Sequence, residues 1–383
     1  MCGLASIVAI NGSEIELAVI ERMSSIIRHR GPDDSGTYVS KDVAFGFRRL
    51  AILDLSSSGH QPMKAEEGKF VIVFNGEIYN YLELRQELVS LGHRFHSSGD
   101  TEVLLRAYIQ WGRDCLPRLN GMWSFLIHDK VRNVVFGSRD RFGIKPLFRY
   151  RSKEHVLFAS EIKGIRASEL YRGEVNWSTA AKFLLEDRLD DSDSSFYSNI
   201  EQIPPGTGFV LSIDGSYQEW KFWDLTSTPT PDVHDPVNAF RDLFEDAVRI
   251  RLRSEVPTAV FLSGGLDSTA ILCSVARLTA ADNTVKNGGT TAFSFISDAF
   301  DETRYIQDTI KQTKARLVQL GSEPEVFWSS LSNVLWYHDA PVHSMTALVG
   351  YTLARLTAEH KIKVVLNGQG ADEILAGYPS VVS

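Results

Sequence analysis

The sequence has little of three things: cysteine, basic charge and long apolar runs. Its three cysteines, Cys2, Cys115 and Cys273, are odd in number and widely spaced, which argues against a disulfide framework or a paired-cysteine metal site and is typical of a reducing cytoplasm. The formal net charge of −8 excludes the basic patch of a general nucleic-acid binder. No stretch approaches the roughly 20 apolar residues of a membrane span, and the apolar start lacks the basic region and cleavage site of a secretory signal. We therefore expect a soluble, cytoplasmic protein without nucleic-acid or membrane partners.

The length of 383 residues, 43% of them hydrophobic, allows two or three domains with buried cores. The first half predicts short buried strands and amphipathic helices that do not alternate regularly. The predicted strands are 3–10, 70–74, 121–128 and 134–138, and the predicted helices are 15–28 and 80–91. This mixture favours an α+β layered domain.

A Pro- and Ser-rich stretch from about residue 185 to 235 marks loops and a domain junction, although 208–223 within it predicts a hairpin turning at Asp214-Gly215. Strands and helices alternate after it. The predicted strands are 259–262, 291–296 and 362–366, and the predicted helices are 240–248, 267–277, 302–315 and 346–360. Alternation predicts an α/β doubly wound parallel sheet. We place the first domain at 1–205, a hairpin and linker at 206–235, and the second domain at 236–383.

The second domain contains a predicted buried strand that is followed by a glycine-rich turn and then by a helix. The turn is Ser263-Gly264-Gly265-Leu266-Asp267-Ser268. Two glycines let backbone N–H groups approach a phosphate, the serines add hydroxyl donors, and the helix presents its positive end. An aspartate beside a phosphate implies a metal ion between them, Mg²⁺. The alternative is a Gly-Gly turn with an aspartate cap, but the flanking strand and helix favour the nucleotide site.

A second strand ends in the same manner, because residues 362–366 lead into Asn367-Gly368-Gln369-Gly370-Ala371-Asp372-Glu373. Loops at the carboxyl ends of neighbouring parallel strands meet at one edge of the sheet. Asp267 and Asp372 are therefore expected to share one Mg²⁺–pyrophosphate group.

A cysteine at position 2 is chemically unusual, because its small side chain permits removal of Met1 and leaves a free α-amine beside the thiol. That amine, with an ordinary pKa of about 7.7–8.0, can act as the general base for its own side chain. The alternative is a small buried hydrophobe at the start of a strand. Taken alone, a Met-Cys start favours that alternative.

Polar residues later in the first domain change that balance. Arg49 is suited to grip an α-carboxylate, and Asn75 with the Gly76 N–H makes an oxyanion hole. Glu77 and Asp100 supply carboxylates for an ammonium group. A zwitterionic amino acid needs both kinds of contact, and glutamine held in this way presents its amide to Cys2.

The sequence resembles the glutamine-hydrolysing asparagine synthetase family, and the motifs that carry the resemblance follow one another along nearly the whole chain. They are Met-Cys-Gly at the start, Arg28-His29-Arg30-Gly31-Pro32-Asp33, Arg49-Leu50-Ala51-Ile52-Leu53-Asp54, Asn75-Gly76-Glu77-Ile78-Tyr79-Asn80, Ser138-Arg139-Asp140-Arg141-Phe142-Gly143-Ile144-Lys145-Pro146-Leu147 and the Ser263 to Ser268 turn. The resemblance implies a class II glutaminase domain with the αββα fold of N-terminal nucleophile enzymes, followed by an ATP-pyrophosphatase domain.

In that family the N-terminal cysteine forms a glutamyl thioester and releases ammonia, which is channelled to a second site. There ATP, with Mg²⁺, activates aspartate as an acyl-adenylate, and ammonia displaces AMP. The resemblance extends the glutamine site to Leu50, Ala51, Ile52 and Leu53. It matches Leu262, Phe295, Asn367 and Gly368 to contacts on the adenine and ribose side of ATP. A homodimer is among the assemblies it allows.

Two departures from the family pattern stand out. Gln369 occupies a position where the familiar loop has a glutamate that is thought to assist the adenylate step, and Ala371 occupies a serine position. A neutral amide is no base at pH 7, so these positions bear on which carboxylate accepts the nitrogen. The chain also stops at Ser383, about ten residues after Glu373, where relatives continue with a helical region. We expect a truncated chain with a complete glutaminase site and an incomplete synthetase site.

Three interpretations follow. The first is synthesis of asparagine from aspartate, glutamine and ATP. The second amidates another carboxylate, such as a sugar acid, a cell-wall group or a peptide. The third is a glutaminase or regulatory protein without synthetase activity. A phosphoribosyl-type amidotransferase is excluded by the Ser263 to Ser268 turn. His29, His60 and His338 are interpreted as structural histidines, and Trp336 and Tyr337 either line the acceptor pocket or pack in the core.

Overall fold

The computed structural model describes residues 1–10, 12–189, 191–229, 231–281, 290–296, 301–321 and 324–377. The chain divides into two compact units, Met1–Thr230 and Pro231–Ser383. Residue 190 in the predicted junction and residues 378–383 at the end of the predicted second domain lie outside the described residues. No helix in the described ranges is long and apolar enough to cross a membrane.

In its described residues, the first unit contains two antiparallel six-stranded sheets and five α-helices. The strands are β1 (Gly3–Ala9), β2 (Asp34–Val39), β3 (Val43–Arg49), β4 (Met63–Ala65), β5 (Phe70–Ile78), β6 (Gly121–Asp129), β7 (Val134–Arg139), β8 (Phe148–Arg151), β9 (His155–Ala159), β10 (Ile200–Gln202), β11 (Thr207–Ser212) and β12 (Tyr217–Lys221). The helices are α1 (Leu17–Ile26), α2 (Tyr81–Ser90), α3 (Asp100–Trp111), α4 (Ile162–Arg166) and α5 (Trp177–Glu186). The sheet orders are β10-β8-β9-β1-β3-β2 and β12-β11-β7-β6-β5-β4.

The two sheets pack face to face, and helices cover their outer faces. Side chains from β1 and β3, such as Leu4 and Phe45, share one buried cluster with Val73 of β5 and Phe209 of β11. The opposite face of the first sheet packs on α1 and α4, and that of the second packs on α2 and α3. Strands that are apolar on both faces need this double cover, so the unit has four layers in the order αββα. This confirms the predicted fold class.

The second unit has one parallel sheet between layers of helices. Its strands are β13 (Thr258–Phe261), β14 (Thr291–Phe295), β15 (Arg316–Leu320) and β16 (Val364–Leu366), in the order β15-β14-β13-β16. Its helices are α6 (Pro236–Arg251), α7 (Leu266–Ala281), α8 (Thr303–Thr313), α9 (Pro324–Ser329), α10 (Leu331–His338), α11 (Met345–Glu359) and α12 (Ala371–Leu375). Helices α6, α7 and α8 cover one face, and α11 covers the other, which confirms the doubly wound sheet.

Most predicted elements are present, with different ends. The predicted 208–223 hairpin is β11 and β12, and β11 also pairs with β7, so the hairpin belongs to the second sheet of the first unit. The strand predicted to end at residue 74 continues to Ile78, because its pairing with β6 runs through Asn75↔Ser124 to Ile78↔Gly121. Asn75, Gly76 and Glu77 therefore lie within β5 and not in a loop after it.

Candidate functional site

Cys2 lies immediately before β1 and is half-buried. Its sulfur is held by the residue that follows β3: the Leu50 N–H donates to Sγ at 3.3 Å, and the thiol faces the Leu50 carbonyl oxygen at 3.7 Å. The pairing of β1 with β3, with Gly3 opposite Arg48, brings these two chain segments together. The thiol is thus fixed against the start of the loop that follows Arg49.

The charges around Cys2 favour a neutral thiol beside a neutral amine. Burial raises the pKa of the Cys2 thiol, although the Leu50 hydrogen bond and the nearby terminal amine and Lys145 charges oppose it. The Met1 side chain is half exposed, but burial of its α-amine, reinforced by the Arg30 and Lys145 charges, lowers the pKa of that amine to about 5. An amine with so low a pKa is an unprotonated base at pH 7.

Arg49 is buried at the end of β3, and the following loop wraps around its guanidinium. Its nitrogens donate to the carbonyl oxygens of Ser56 at 3.1 Å, of Leu53 at 3.2 Å and of Asp54. A Cβ on Gly59 would lie 1.9 Å from Nη2, so only glycine fits there. These bonds use three of the five guanidinium N–H groups, which leaves two for a carboxylate. The role of Arg49 in shaping its own loop is not visible in the sequence.

Two carboxylates organise the backbone of the loop after Arg49: Asp33, from outside the loop, and Asp54, from within it. The Ala51 N–H donates to Asp33 Oδ2 at 2.7 Å. Asp54 accepts from the Ser56 N–H at 3.2 Å with Oδ1 and from the Ser98 N–H at 2.9 Å with Oδ2. Ile52, like its neighbours, is only partly buried. The predicted binding segment 50–53 therefore lies at the surface of the site with a fixed main chain.

Asn75 and Gly76 occupy a crowded stretch of β5 opposite β6. A Cβ on Gly76 would lie 2.2 Å from the Met122 carbonyl oxygen, so a side chain is excluded there. Asn75 is 1% exposed, its Nδ2 lies 3.5 Å from Ser124 Oγ, and its Oδ1 has no hydrogen-bond partner. Turning the amide by 180° would let Ser124 donate to Oδ1 and would give the open position to Nδ2, a donor. In that orientation the amide presents an open N–H donor in a buried position, which is what an oxyanion hole needs before substrate binds.

Asp100 and Glu77 provide the buried negative charge. Asp100 opens α3, and its Oδ2 accepts from the Ile78 N–H at 2.9 Å, so it is tied to the same strand that carries Asn75. Burial raises the pKa of Asp100 to about 6, although the Ile78 bond and the Arg49 charge act against the rise. Glu77 is also buried, and its charge acts on both Lys145 and the terminal amine. The structure thus brings the predicted glutamine-site residues of the first unit together.

Lys145 and Arg30 are additional charged groups of this site to which the sequence analysis assigned no role. Asp140 fixes the backbone of Lys145 by accepting its N–H at 3.0 Å. Burial lowers the pKa of Lys145, opposed by the Glu77 charge. Arg30 donates through Nε to the Cys2 carbonyl oxygen at 2.8 Å. Both residues lie in the motifs of the first unit, but their distance from Cys2 along the chain hides these contacts.

The predicted nucleotide turn in the second unit joins β13 to α7. Ser268 Oγ lies 3.0 Å from Ser263 Oγ and 3.2 Å from the Ser263 N, and the Gly265 N–H donates to Ser263 Oγ at 3.2 Å. Gly264 has a φ of 97°, which favours glycine. The serine hydroxyls therefore close the turn into a cradle and leave the start of α7 open to an anion.

The loop after β16 packs directly on this cradle. β16 is the neighbour of β13. In the order β15-β14-β13-β16 the chain adds β14 and β15 on one side of β13 and β16 on the other. Doubly wound sheets bind their ligands at such a switch point. A Cβ on Gly368 would lie 2.9 Å from Asp267 Cβ, so the two loops touch. The Gln369 N–H donates to Asn367 Oδ1 at 3.3 Å. This confirms that the two glycine-rich loops meet at one edge.

The remaining residues predicted for ATP and metal take different positions. Leu262 is buried, and its N–H donates to the Phe293 carbonyl oxygen at 2.8 Å. Phe295 ends β14, which lies on the opposite side of β13 from β16. Its ring packs edge-on against that of Phe327, with centroids 5.7 Å apart. Within the described ranges no three carboxylate, histidine or cysteine side chains group into a metal site. Asp267 lies in the first turn of α7 and Asp372 in the first turn of α12, and a Mg²⁺ site usually uses one or two protein carboxylates together with substrate phosphates.

Comparison with known proteins agrees with this division of the chain. The family described as "Glutamine amidotransferase domain" matches residues 1–223, and the family described as "Asparagine synthase" matches residues 239–382. "Asparagine synthetase [glutamine-hydrolyzing] 1" of Bacillus subtilis is 33% identical over 99% of this chain and 59% of its own length. "Putative asparagine synthetase [glutamine-hydrolyzing] 2" of Methanocaldococcus jannaschii is 32% identical over 99% of this chain and 76% of its own length.

The chain belongs to the glutamine-hydrolysing asparagine synthetase family. The family predicted from the sequence motifs is therefore confirmed. The chain spans about three fifths of the length of the B. subtilis asparagine synthetase. "Amidase chry2" of Gibberella zeae is also similar to it, with 28% identity over 99% of this chain and 59% of that protein.

Trp336 and Tyr337 lie in the second unit near the end of α10. The sequence allowed two interpretations of them, as lining of the acceptor pocket or as core residues. Their rings meet edge-on with centroids 5.0 Å apart, and 44% and 37% of their surfaces are exposed. They are therefore not core residues within the described part of this unit. His29, interpreted as structural, lies in a short 3₁₀ turn, Arg28–Arg30, where its ring binds a buried glutamate.

Proposed function

We propose that this protein takes the amide nitrogen of glutamine at Cys2 and uses ATP to transfer it to aspartate, giving asparagine. The observation that supports the first half most strongly is the grouping of a thiol, a terminal amine, a guanidinium, a buried amide and buried carboxylates in one part of the first unit. The glycine-rich loops on β13 and β16 support the second half. Family membership supports the connection between the two.

Glutamine would be oriented by its two charges. The free N–H groups of Arg49 suit the α-carboxylate, and the ionised Asp100, together with Glu77, suits the α-ammonium group. The side-chain amide then points toward the Cys2 sulfur. Leu50, which holds the sulfur, and the backbone of Ala51, Ile52 and Leu53 would line the substrate.

In the proposed first reaction the terminal amine removes the thiol proton and the sulfur attacks the amide carbon. Removal of Met1 would place this amine on Cys2 itself. The charge that develops on the amide oxygen is met by the Asn75 Nδ2–H and the Gly76 N–H. The carbon–nitrogen bond then breaks, the amine returns the proton to the departing ammonia, and a γ-glutamyl thioester remains. Water hydrolyses the thioester to glutamate and frees the thiol.

In the proposed second reaction an aspartate side-chain oxygen attacks the α-phosphorus of ATP, and pyrophosphate leaves. Ammonia then attacks the activated carbonyl, and AMP leaves. The turn from Ser263 to Ser268, including Gly264, Gly265 and Leu266, would cradle phosphates through its N–H and hydroxyl groups. Leu262, Phe295, Asn367 and Gly368 are proposed for the nucleoside side of ATP. Bound Mg²⁺ would neutralise phosphate charge, with Asp267 and Asp372 as its protein ligands. A cytoplasmic location fits the three free cysteines.

A second acceptor is favoured by a specific feature of this chain. Gln369 and Ala371 replace a glutamate and a serine of the familiar loop, and Gln369 lies exposed beside the nucleotide cradle. Because an amide cannot take a proton from an incoming amine, an acceptor that brings its own base would suit this loop. The similarity to a protein named as an amidase supports a carboxylate other than aspartate as the alternative.

The decisive test is pyrophosphate release with a panel of carboxylates, using glutamine and then ammonium salts as nitrogen source. The proposal expects ATP-dependent turnover with aspartate and with both nitrogen sources. An absence of pyrophosphate release with aspartate, together with turnover of another carboxylate, would establish the alternative. Glutamine hydrolysis that never depends on ATP or on a carboxylate would show a bare glutaminase.

A further inference from the structure

A cluster of polar side chains, three of them buried, lies next to the backbone of Cys2. It consists of His29, Arg30, Glu161 and Lys163. Glu161 is its only carboxylate: Oε1 accepts from Arg30 Nη1 at 2.8 Å and from His29 Nε2 at 2.9 Å, and Oε2 accepts from Lys163 Nζ at 2.5 Å. At most 8% of the surface of Arg30, Glu161 or Lys163 is exposed. The ion pairs of Arg30 and Lys163 with Glu161 are buried, and removing one partner of a buried ion pair is strongly destabilising.

This cluster is connected to the nucleophile by both side chain and backbone. Arg30, which donates to Glu161, also donates through Nε to the Cys2 carbonyl oxygen at 2.8 Å. That carbonyl belongs to Cys2 itself, so the contact survives removal of Met1. The segment before Glu161 is paired with β1, because Ser160 Oγ accepts from the Leu4 N–H and the Ser160 N–H donates to the Leu4 carbonyl oxygen, both at 3.0 Å.

We infer that Glu161 is a positioning residue for Cys2 and that it acts through Arg30. The inference rests on the proposed function of Cys2 as the nucleophile. The described contacts hold the Arg30 guanidinium at two points only, the Cys2 carbonyl and Glu161 Oε1, and its buried Nη2 has no hydrogen-bond partner. Removing the carboxylate leaves one contact, so the guanidinium turns away and the backbone of Cys2 loses its fixed position.

Charge balance explains why a carboxylate is needed and not merely a polar group. Arg30 and Lys163 are two buried cations that both bind Glu161. Although burial acts to raise it, the bonds from His29, Arg30 and Lys163 lower the pKa of Glu161 to about 2, so the anion persists throughout the working pH range. The Arg30 charge also lowers the pKa of the Met1 α-amine, and through its bond to the Cys2 carbonyl it lies beside the amine that removal of Met1 would create. Glu161 therefore fixes both the place of the nucleophile and the position of a positive charge near its proposed base.

Steady-state glutaminase kinetics of Glu161→Gln test the inference. We expect kcat to fall by about 10- to 100-fold with little change in KM for glutamine, since the cluster touches Cys2 and not the substrate. The acid limb of the Cys2 alkylation rate should also move to higher pH, because the displaced Arg30 charge no longer lowers the pKa of the amine. A loss of stability alone moves neither of these two quantities in folded protein.

Lys163→Met is the matched control, because it removes a contact from the same carboxylate but leaves the Glu161–Arg30 bond. It should keep kcat within about threefold, and the double variant Glu161→Gln/Lys163→Met should recover stability but not kcat. An equal fall of kcat in the control, or an unchanged kcat in Glu161→Gln, overturns the inference. Cys2→Ala separates the proposed function: if it still hydrolyses glutamine, the nucleophile is wrong, whereas Cys2-dependent turnover that ignores Glu161→Gln refutes only the positioning role.

Discussion

The burial of the Asp100 carboxyl costs stability once the group is ionised, and its proposed role in binding glutamine gives the sharpest prediction. Its pKa rises from an ordinary 3.8 to about 6, chiefly through burial. A carboxylate whose pKa is higher in the folded state destabilises the fold once it is ionised: its favourable contribution is complete below pH 3.8 and is lost as the pH rises through about 6. A rise of about two in this pKa lowers the free energy of unfolding by ~3 kcal/mol once the carboxyl is ionised.

Asp100→Asn should therefore be more stable than the wild type at pH 7.5, by up to ~3 kcal/mol, and nearly equal to it at pH 4. The amide introduced by this substitution can still accept the Ile78 N–H through its oxygen. Its loss of charge should lower kcat/KM for glutamine by about 10- to 100-fold, the value of one hydrogen bond to a charged group. In the wild type, kcat/KM should fall about tenfold between pH 7 and pH 5, because only about a tenth of Asp100 is ionised at pH 5.

Urea unfolding at the two pH values and glutaminase assays across pH 5–8 measure both effects in one variant. Asp114→Asn is the control, because that carboxylate is 85% exposed and should change neither quantity. A variant of Asp100 that is less stable at pH 7.5, or one that keeps the wild-type kcat/KM, would refute the assignment of Asp100 as a buried, ionised partner of the substrate ammonium group.

Two glycine variants test the two sites separately. Gly59→Ala places a Cβ 1.9 Å from Arg49 Nη2, so displacement of the guanidinium should raise KM for glutamine about tenfold or more, whereas Ser58→Ala at the exposed neighbouring position should not. Gly368→Ala places a Cβ 2.9 Å from Asp267 Cβ and should weaken ATP binding, measured by calorimetry, by about 1–3 kcal/mol without changing glutamine hydrolysis. Its control is Gly350→Ala, where a Cβ meets nothing within 4 Å; equal effects in both would contradict the contact between the two loops.

The elements that the sequence predicted best are those with a clear local pattern. Continuous apolar runs marked β1 and β6, and the turn at Asp214-Gly215 marked the β11–β12 hairpin. Helix α3 was missed because its first residues, Asp100 and Glu102, are polar yet buried, which defeats a prediction based on hydrophobic periodicity. The helix predicted over 302–315 ends earlier, at Thr313, because Lys314 takes a left-handed conformation and β15 begins at Arg316.

In the site, too, the sequence predicted single residues but not the contacts between them. Arg49, Asn75 and Asp100 were predicted one by one, because each residue type has a chemical use near an amino acid. The contacts that position Cys2 join residues far apart in the chain: Arg30 to Glu161 spans 131 positions. Such pairs depend on the antiparallel packing of β1 between β3 and β9, which one sequence does not specify. Arg49 was assigned to the substrate, and its three bonds to its own loop emerged only from the fold.

The central claim is that Cys2, freed of Met1, attacks the amide carbon of glutamine. Intact-mass measurement of the purified protein after brief exposure to a glutamine analogue with an electrophilic ketone in place of its amide tests this directly. The account predicts a chain that lacks Met1 and carries one added group, located on Cys2 by peptide mapping, and predicts that Arg49→Lys slows the labelling. A chain that retains Met1 yet hydrolyses glutamine, or a label on Cys115 or Cys273 and not on Cys2, would contradict it.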